Sequence, residues 1–340
     1  MRVELHLLQN FPPANLNRDD TGTPKDCEFG GVRRARISSQ CIKRSIRTSP
    51  VFADTLSEPI GIRTKRSAEE VARILRETHG RDEIAARELA EVALDELISL
   101  GNEGRTKVLY YAAPAELADL AGRLDGADAD DELLRAVEAV HAVQALGDDA
   151  TKTDRRAAEK ERREARQALK KVLKSVVKDF IDANRDRARS VDIALFGRML
   201  AEEPKLNLEA ACQVAHAIST NRVSMEFDYY TAVDDLNPDA ETGAGMIGTT
   251  GYNSSCFYRY MLVDVEHLAT NLSDAEEPSD ASYERAVDGV RAFIKAAVAA
   301  IPTGKQTSFA AQTRPVLVLA VVRPKTSMPM SLVNAFENPA

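Results

Sequence analysis

The sequence predicts an α+β fold, a small antiparallel sheet backed by helices and interrupted by a long helical insert. Three features predict it. Residues 2–8 alternate polar and apolar, with Val3, Leu5 and Leu7 on one side, which is the period of a half-buried strand. Residues from about 64 to 190 are rich in Ala, Leu, Glu, Arg and Lys at helical spacing. Between residues 221 and 255, aromatic and β-branched residues flank a tip containing Pro238, Gly243, Gly245, Gly248 and Gly251, the pattern of two strands joined by a long hairpin loop.

Composition narrows the function. A chain of 340 residues, 44% hydrophobic, can bury one substantial core or two modest ones. Its formal charge of −8 would repel phosphate, so any nucleic-acid role has to rest on a local basic patch. Cys27, Cys41, Cys212 and Cys256 are widely spaced, without a CxxC pair or a Cys/His spacing suited to zinc or to a disulfide framework, which fits a reducing cytoplasm. The longest apolar run, residues 316–322, is far short of a membrane span, and Glu4 and His6 interrupt the N-terminus, so no membrane partner is expected.

Taken in order, residues 2–8 form the first strand, and residues 9–37, with Pro12, Pro13, Gly22, Pro24, Gly30 and Gly31, form a long binding loop. Ser38 and Ser39 offer an N-cap to a helix over residues 40–48 that Pro50 stops. Helical spacing recurs over 68–100 and 131–146, and the charged run 154–178 reads as a solvated helix face with internal ion pairs. Residues 191–196 resemble a short strand and 208–218 a helix. The hairpin follows, then a strand over 256–265, an apolar-faced helix over 282–301 and a buried strand over 315–322. Without the insert the order is strand, helix, strand, helix, hairpin, strand, helix, strand, which an RRM-like (ferredoxin-like) fold accommodates. No period of 20 to 50 residues marks a solenoid.

The helix from Gln40 carries the most informative pattern. Gln40, Lys43, Arg44 and Arg47 fall at i, i+3, i+4 and i+7, so one amide and three cations share a stripe, with Ile42 and Ile46 opposite. Residues 25–47 hold seven cations (Lys25, Arg33, Arg34, Arg36, Lys43, Arg44, Arg47) against Asp26 and Glu28, hence 7 − 2 = +5 in a protein of −8. Such a stripe, anchored by its apolar back, can track a phosphate backbone, and Ser38, Ser39 and Gln40 add uncharged donors. A solvated face paired to acids elsewhere is the competing reading.

The string LNRDDTGTPKDCEFGGVRRARISSQCIKRSIR over residues 16–47 closely resembles the N-terminal signature of the CasC family, the RNA-binding backbone subunit of type I-E CRISPR Cascade. VDIALFGRM (191–199), AHAIST (215–220), YYTAVDDL (229–236), FYRY (257–260) and MSLVNAFE (330–337) recur in the family's order. The resemblance is weak only between about residues 64 and 190. It implies an RRM-like palm (1–60, 191–220 and 256–340), a helical fingers insert (61–190) and a thumb hairpin (221–255). Several copies would bind one guide crRNA beside the large, small, 5′-end and 3′-end capping subunits and present the guide to target DNA. Carried over by position, Ser38, Gln40, Lys43, Arg44 and Arg47 resemble palm contacts to the RNA backbone, with Arg18 and Lys25 in the adjoining loop. Met199 resembles a wedge beside the bases, and Tyr229, Tyr230 and Thr231 resemble thumb residues at a displaced nucleotide. The family's chains usually continue beyond the last motif, which leaves open whether Ala340 is a trimmed or incomplete C-terminus.

An enzyme that cuts precursor CRISPR RNA without metal is the alternative, and it needs a general acid or base near the scissile phosphate. His6, His79, His141, His216 and His267 lie in no motif with a partner. The pairs Asp19 and Asp20, and Asp234 and Asp235, are weak metal-binding signals. The expectation is a protein without catalytic residues, metal or cofactor.

Overall fold

A computed structural model describes residues 1–146, 150–232, 246–275 and 277–340; the hairpin-tip residues Pro238, Gly243 and Gly245 and the pair Asp234 and Asp235 lie outside them. The chain opens with β1 (Arg2–Ala14), β2 (Asp26–Phe29), β3 (Val32–Ile37), α1 (Ser39–Arg47) and α2 (Pro50–Thr55). Next come β4 (Ile62–Thr64), α3 (Ser67–His79), α4 (Glu83–Leu97), β5 (Tyr110–Ala112), α5 (Pro114–Asp125), α6 (Asp130–Gln144), α7 (Lys152–Asn184) and α8 (Val191–Phe196). It ends with β6 (Cys212–Val214), β7 (Ala217–Ser219), β8 (Glu226–Ala232), β9 (Met246–Asp264), α9 (Val265–Asn271), α10 (Asp280–Ala299), α11 (Gln306–Phe309) and β10 (Leu317–Arg323). Two compact units result: Met1–Ser57, Ala211–Leu268 and Tyr283–Ala340 make the first, and Glu58–Ala210 with Ala269–Ser282 the second. Residues 191–210, expected beside the sheet, cluster with the helices.

The first unit is built on a sheet in the order β10-β1-β9-β7-β3-β2, antiparallel throughout. Counted along the chain, β1, β7, β9 and β10 stand in the order fourth, first, third, second, the ferredoxin-like arrangement. Strand β1 is central and covered on both faces, so Glu4 and His6 are as buried as Val3, Leu5 and Leu7. Its polar members are satisfied: Glu4 accepts from Arg323 Nε (2.9 Å) and Met330 N (3.0 Å), and His6 Nδ1 bonds the Tyr258 hydroxyl (2.8 Å).

The sheet-bearing unit departs from three sequence expectations. The loop expected over 9–37 is largely strand: β1 runs on to Ala14, and β2 and β3 form a hairpin turning at Gly30 and Gly31, both at positive φ. These glycines serve the turn, since a Cβ on Gly30 would overlap the Glu337 carbonyl oxygen. Residues 208–218, helical by their Ala and Leu content, instead give β6 and β7, which pair with β9; sheet pairing overrides local propensity. Helix α1 does stop before Pro50, and Pro50 in turn begins α2 at its first turn, where its missing N–H costs nothing. The strand expected to be buried over 315–322 is β10, which among the described residues pairs with β1 alone and is mostly exposed.

In the second unit, α3, α4, α5, α6 and α7 enclose a core that includes Val71, Leu75, Leu89, Leu94, Leu120, Leu173 and Phe180. Leu169, Leu173 and Val177 are buried at four-residue steps along α7. Its charged face is fastened to α4: Arg162 bonds Glu88 (3.2 Å), Arg166 bonds Glu91 (3.0 Å) and Lys170 bonds Asp95 (2.7 Å). Residues 191–196, expected as a strand, form the short helix α8, with Val191 through Leu195 all buried. An apolar run this short has no period to separate strand from helix. No helix among the described residues is long and apolar enough to cross a membrane.

Candidate nucleic-acid interface

Helix α1 starts where Ser38 turns extended and its hydroxyl accepts the Cys41 N–H (3.3 Å), while Asn17 Oδ1 receives the Ser38 N–H (2.9 Å). Ser38 is thus buried, with its hydroxyl oxygen accepting in the cap. Ile42 and Ile46 fix the helix to the core, leaving Gln40 and Arg44 exposed and Lys43 and Arg47 half-buried. The helix ends at Thr48, whose N–H (2.9 Å) and hydroxyl (2.8 Å) both reach the Arg44 carbonyl.

The seven cations of residues 25–47 separate sharply. Arg34 is fully buried and donates to the carbonyls of Phe29 (3.2 Å), Ser219 (3.3 Å), Thr220 (2.6 Å), Phe336 (2.9 Å) and Glu337 (2.9 Å). It is a structural hub, so the count of +5 overstates the surface charge. Arg33 pairs with Asp26 (3.1 Å). Arg36 donates to the Asp26 carbonyl (3.1 Å) and to His216 Nδ1 (3.0 Å), which places the His216 ring proton on Nε2. Burial, then the charges of Arg36 and Lys25, hold the His216 imidazole below its usual pKa.

Among the described residues, no carboxylate lies within 4.0 Å of Arg18, Lys25, Lys43 or Arg44. Arg18 and Arg44 line one groove of about 510 Å³ with Asn17, Ser45, Thr303 and Gly304. Lys25 lies near enough to Cys41 and His216, and Lys43 to Cys212, for each charge to act on its neighbour. Burial nevertheless dominates both thiols, raising Cys41 and pushing Cys212 up to about 12, so neither is a reactive thiolate. Asp19 also lines the groove, but its carboxylate accepts from the N–H groups of Thr21 and Thr23 (2.9 Å each) and closes its own turn. No group of three or more His, Cys, Asp or Glu suited to a metal ion occurs among the described residues.

The hairpin of β8 and β9 has two unlike faces. Phe227, Tyr229 and Thr231 pair with Gly251, Thr249 and Ile247 and form an uncharged face, on which Phe227, Tyr229 and Ile247 are strongly exposed. Glu226, Asp228 and Tyr230 stand on the other, with Tyr252. The Tyr230 ring lies over Gly248, where a Cβ would overlap its Cζ. Phe227 is missing from the sequence-derived residues, although its place two before Tyr229 on a strand puts it on the same face. In the helical unit, Met199 is 87% exposed, the most exposed large apolar side chain described.

The chain thus combines a ferredoxin-like sheet, a core-anchored cationic helix, an apolar-faced ribbon and a helical insert. The chain belongs to the family of CT1975-like proteins, whose family model matches residues 3–340. It is similar to a chain of a CRISPR RNA-guided surveillance complex in a pre-nicking state, at 30% identity and a TM-score of 0.72, covering 100% of this chain and 83% of that one. A second chain, from a CRISPR RNA-guided surveillance complex, is 25% identical with a TM-score of 0.64, covering 100% and 81%. Curated proteins gave no match.

Proposed function

We propose that this protein is the non-catalytic backbone subunit of a type I-E Cascade-like surveillance complex in the cytoplasm. Several copies bind the guide crRNA along its phosphates, displace nucleotides periodically with the thumb hairpin and present the guide to target DNA, beside the large, small and end-capping subunits. The carrying observation is the stripe on α1, where Lys43 and Arg44 have no acidic partner among the described residues while Ile42 and Ile46 lock the helix into the core. Cations so held meet phosphates rather than base edges, and sequence is left to base pairing.

Lys43→Ala with Arg44→Ala is therefore expected to weaken binding of unrelated guide RNAs by equal factors. The salt slope of log K should fall by about 0.7 for each phosphate that the variant no longer neutralises. Titrations of two unrelated RNAs over a salt series check this, and a weakening confined to one RNA would sink the assignment. The chain should also leave RNA and DNA intact in Mg²⁺ or Mn²⁺. His6 is sealed in the sheet, and the exposed His216 has its Nδ1 lone pair engaged by Arg36, so neither offers a free ring nitrogen to take a proton. Cleavage by the wild type that disappears in His216→Ala or Asp19→Ala would refute this.

A further inference from the structure

Met199 owes its protrusion to the residues on either side of it, all within the helical unit. Leu200 is buried, and its N–H is held by Asn207 Oδ1 (2.5 Å). Arg198 and Leu208 exchange both backbone hydrogen bonds (3.0 and 2.9 Å). Gly197 has φ +76, and a Cβ there would stand 2.9 Å from the Leu208 carbonyl oxygen and 3.0 Å from the Ala210 nitrogen, so only glycine fits.

Beneath this turn, Arg198 is 5% exposed and Glu116 fully buried. Arg198 Nη1 bonds both Glu116 oxygens (2.9 and 2.7 Å) and the Tyr111 carbonyl (3.3 Å), and Nε bonds the Leu206 carbonyl (2.7 Å). Glu116 also accepts the Ala113 N–H (2.9 Å). A buried ion pair adds little net stability over well-packed apolar residues; what it supplies is one fixed geometry. An exposed methionine between two anchored neighbours is a presented side chain, where a solvated loop would have left all three free.

We propose that the Arg198–Glu116 pair, with Gly197 and Asn207, is a pedestal that positions Met199 against a displaced RNA base. The inference rests on the reading of Met199 as a wedge. Arg198, Glu116 and Asn207 are positioning residues and touch no nucleotide themselves.

The test assembles the whole chain on one defined guide RNA carrying 2-aminopurine at successive positions, whose fluorescence rises where a base is unstacked. The wild type should give a regularly spaced rise. Glu116→Gln keeps the shape of the buried group and removes its charge, and Asn207→Ala removes the separate anchor at Leu200. Each should keep its circular dichroism and hold RNA affinity within about twofold, yet lower the periodic signal by about half or more, as Met199→Ala does. Adding either change to Met199→Ala should lower the signal no further, because both act through the same side chain. A full signal in both variants, with Met199→Ala deficient, overturns the pedestal alone. A full signal in Met199→Ala overturns the wedge reading and the pedestal with it. If Glu116→Gln does not fold, Asn207→Ala decides.

Discussion

Arg34→Ala is expected to destabilise the sheet-bearing unit by about 3–5 kcal/mol, at the upper end for a single substitution. The guanidinium joins three separate pieces of chain: the turn between β2 and β3 through Phe29, the end of β7 through Ser219 and Thr220, and the C-terminal segment through Phe336 and Glu337. Removing it leaves several carbonyls without this donor and opens a cavity. The same C-terminal segment is tied to β1 and β9, since Met330 N bonds Glu4 and Leu332 N bonds the Tyr258 hydroxyl (2.8 Å). Arg34→Lys should also fail, because an ammonium on a flexible stem cannot bridge these carbonyls as the planar fork does. Arg33→Ala is the control: its side chain is exposed and makes one surface pair with Asp26, so its effect should stay within about 0.5 kcal/mol. Urea titration of the three variants checks the order, and equal midpoints for Arg34→Ala and Arg33→Ala would contradict the hub.

The stripe on α1 is legible in the sequence because the helical period separates Ile42 and Ile46 from Lys43 and Arg44, and the N-cap signal at Ser38 marks its start. Adjacent arginines are not separable in the same way. Arg33 and Arg34 differ only in which face of β3 they occupy, and that face is decided by pairing with β2 and β7, which no local pattern reports. The same limit explains β6 and β7, whose Ala-rich sequence favours a helix until β9 offers its edge. It also explains β10, whose apolar run reads as buried although β1 is its one partner strand among the described residues. The hydroxyl of Ser38 reads as an RNA donor in the sequence; in the cap its oxygen accepts the Cys41 N–H, which leaves its O–H free to donate.

Tyr229→Ala is expected to cost guide-RNA binding about 1–3 kcal/mol per displaced nucleotide, roughly 5- to 150-fold, if the ring stacks on a base. The two faces of the hairpin decide which tyrosine should matter. Glu226 and Asp228 share a face with Tyr230, and their charges raise the pKa of the neighbouring Tyr252 phenol, so that side repels phosphate. Phe227, Tyr229 and Thr231 present an uncharged surface instead, suited to bases and to a neighbouring copy of the chain. The Tyr230 ring lies over Gly248, and Tyr230→Phe keeps that cover, so it should bind RNA as the wild type does, while Gly248→Val should disturb the hairpin by driving a side chain into that ring. A two-stranded ribbon is marginal alone, and apolar packing against RNA and the next subunit would hold it in place. Phe227→Ala with Tyr229→Ala should therefore break evenly spaced assembly on a defined guide, seen by electron microscopy, while each chain keeps its α1 contacts and residual affinity. Comparable weakening from Tyr230→Phe and Tyr229→Ala, or regular filaments from the double variant, would assign the hairpin to packing and remove it from the RNA path.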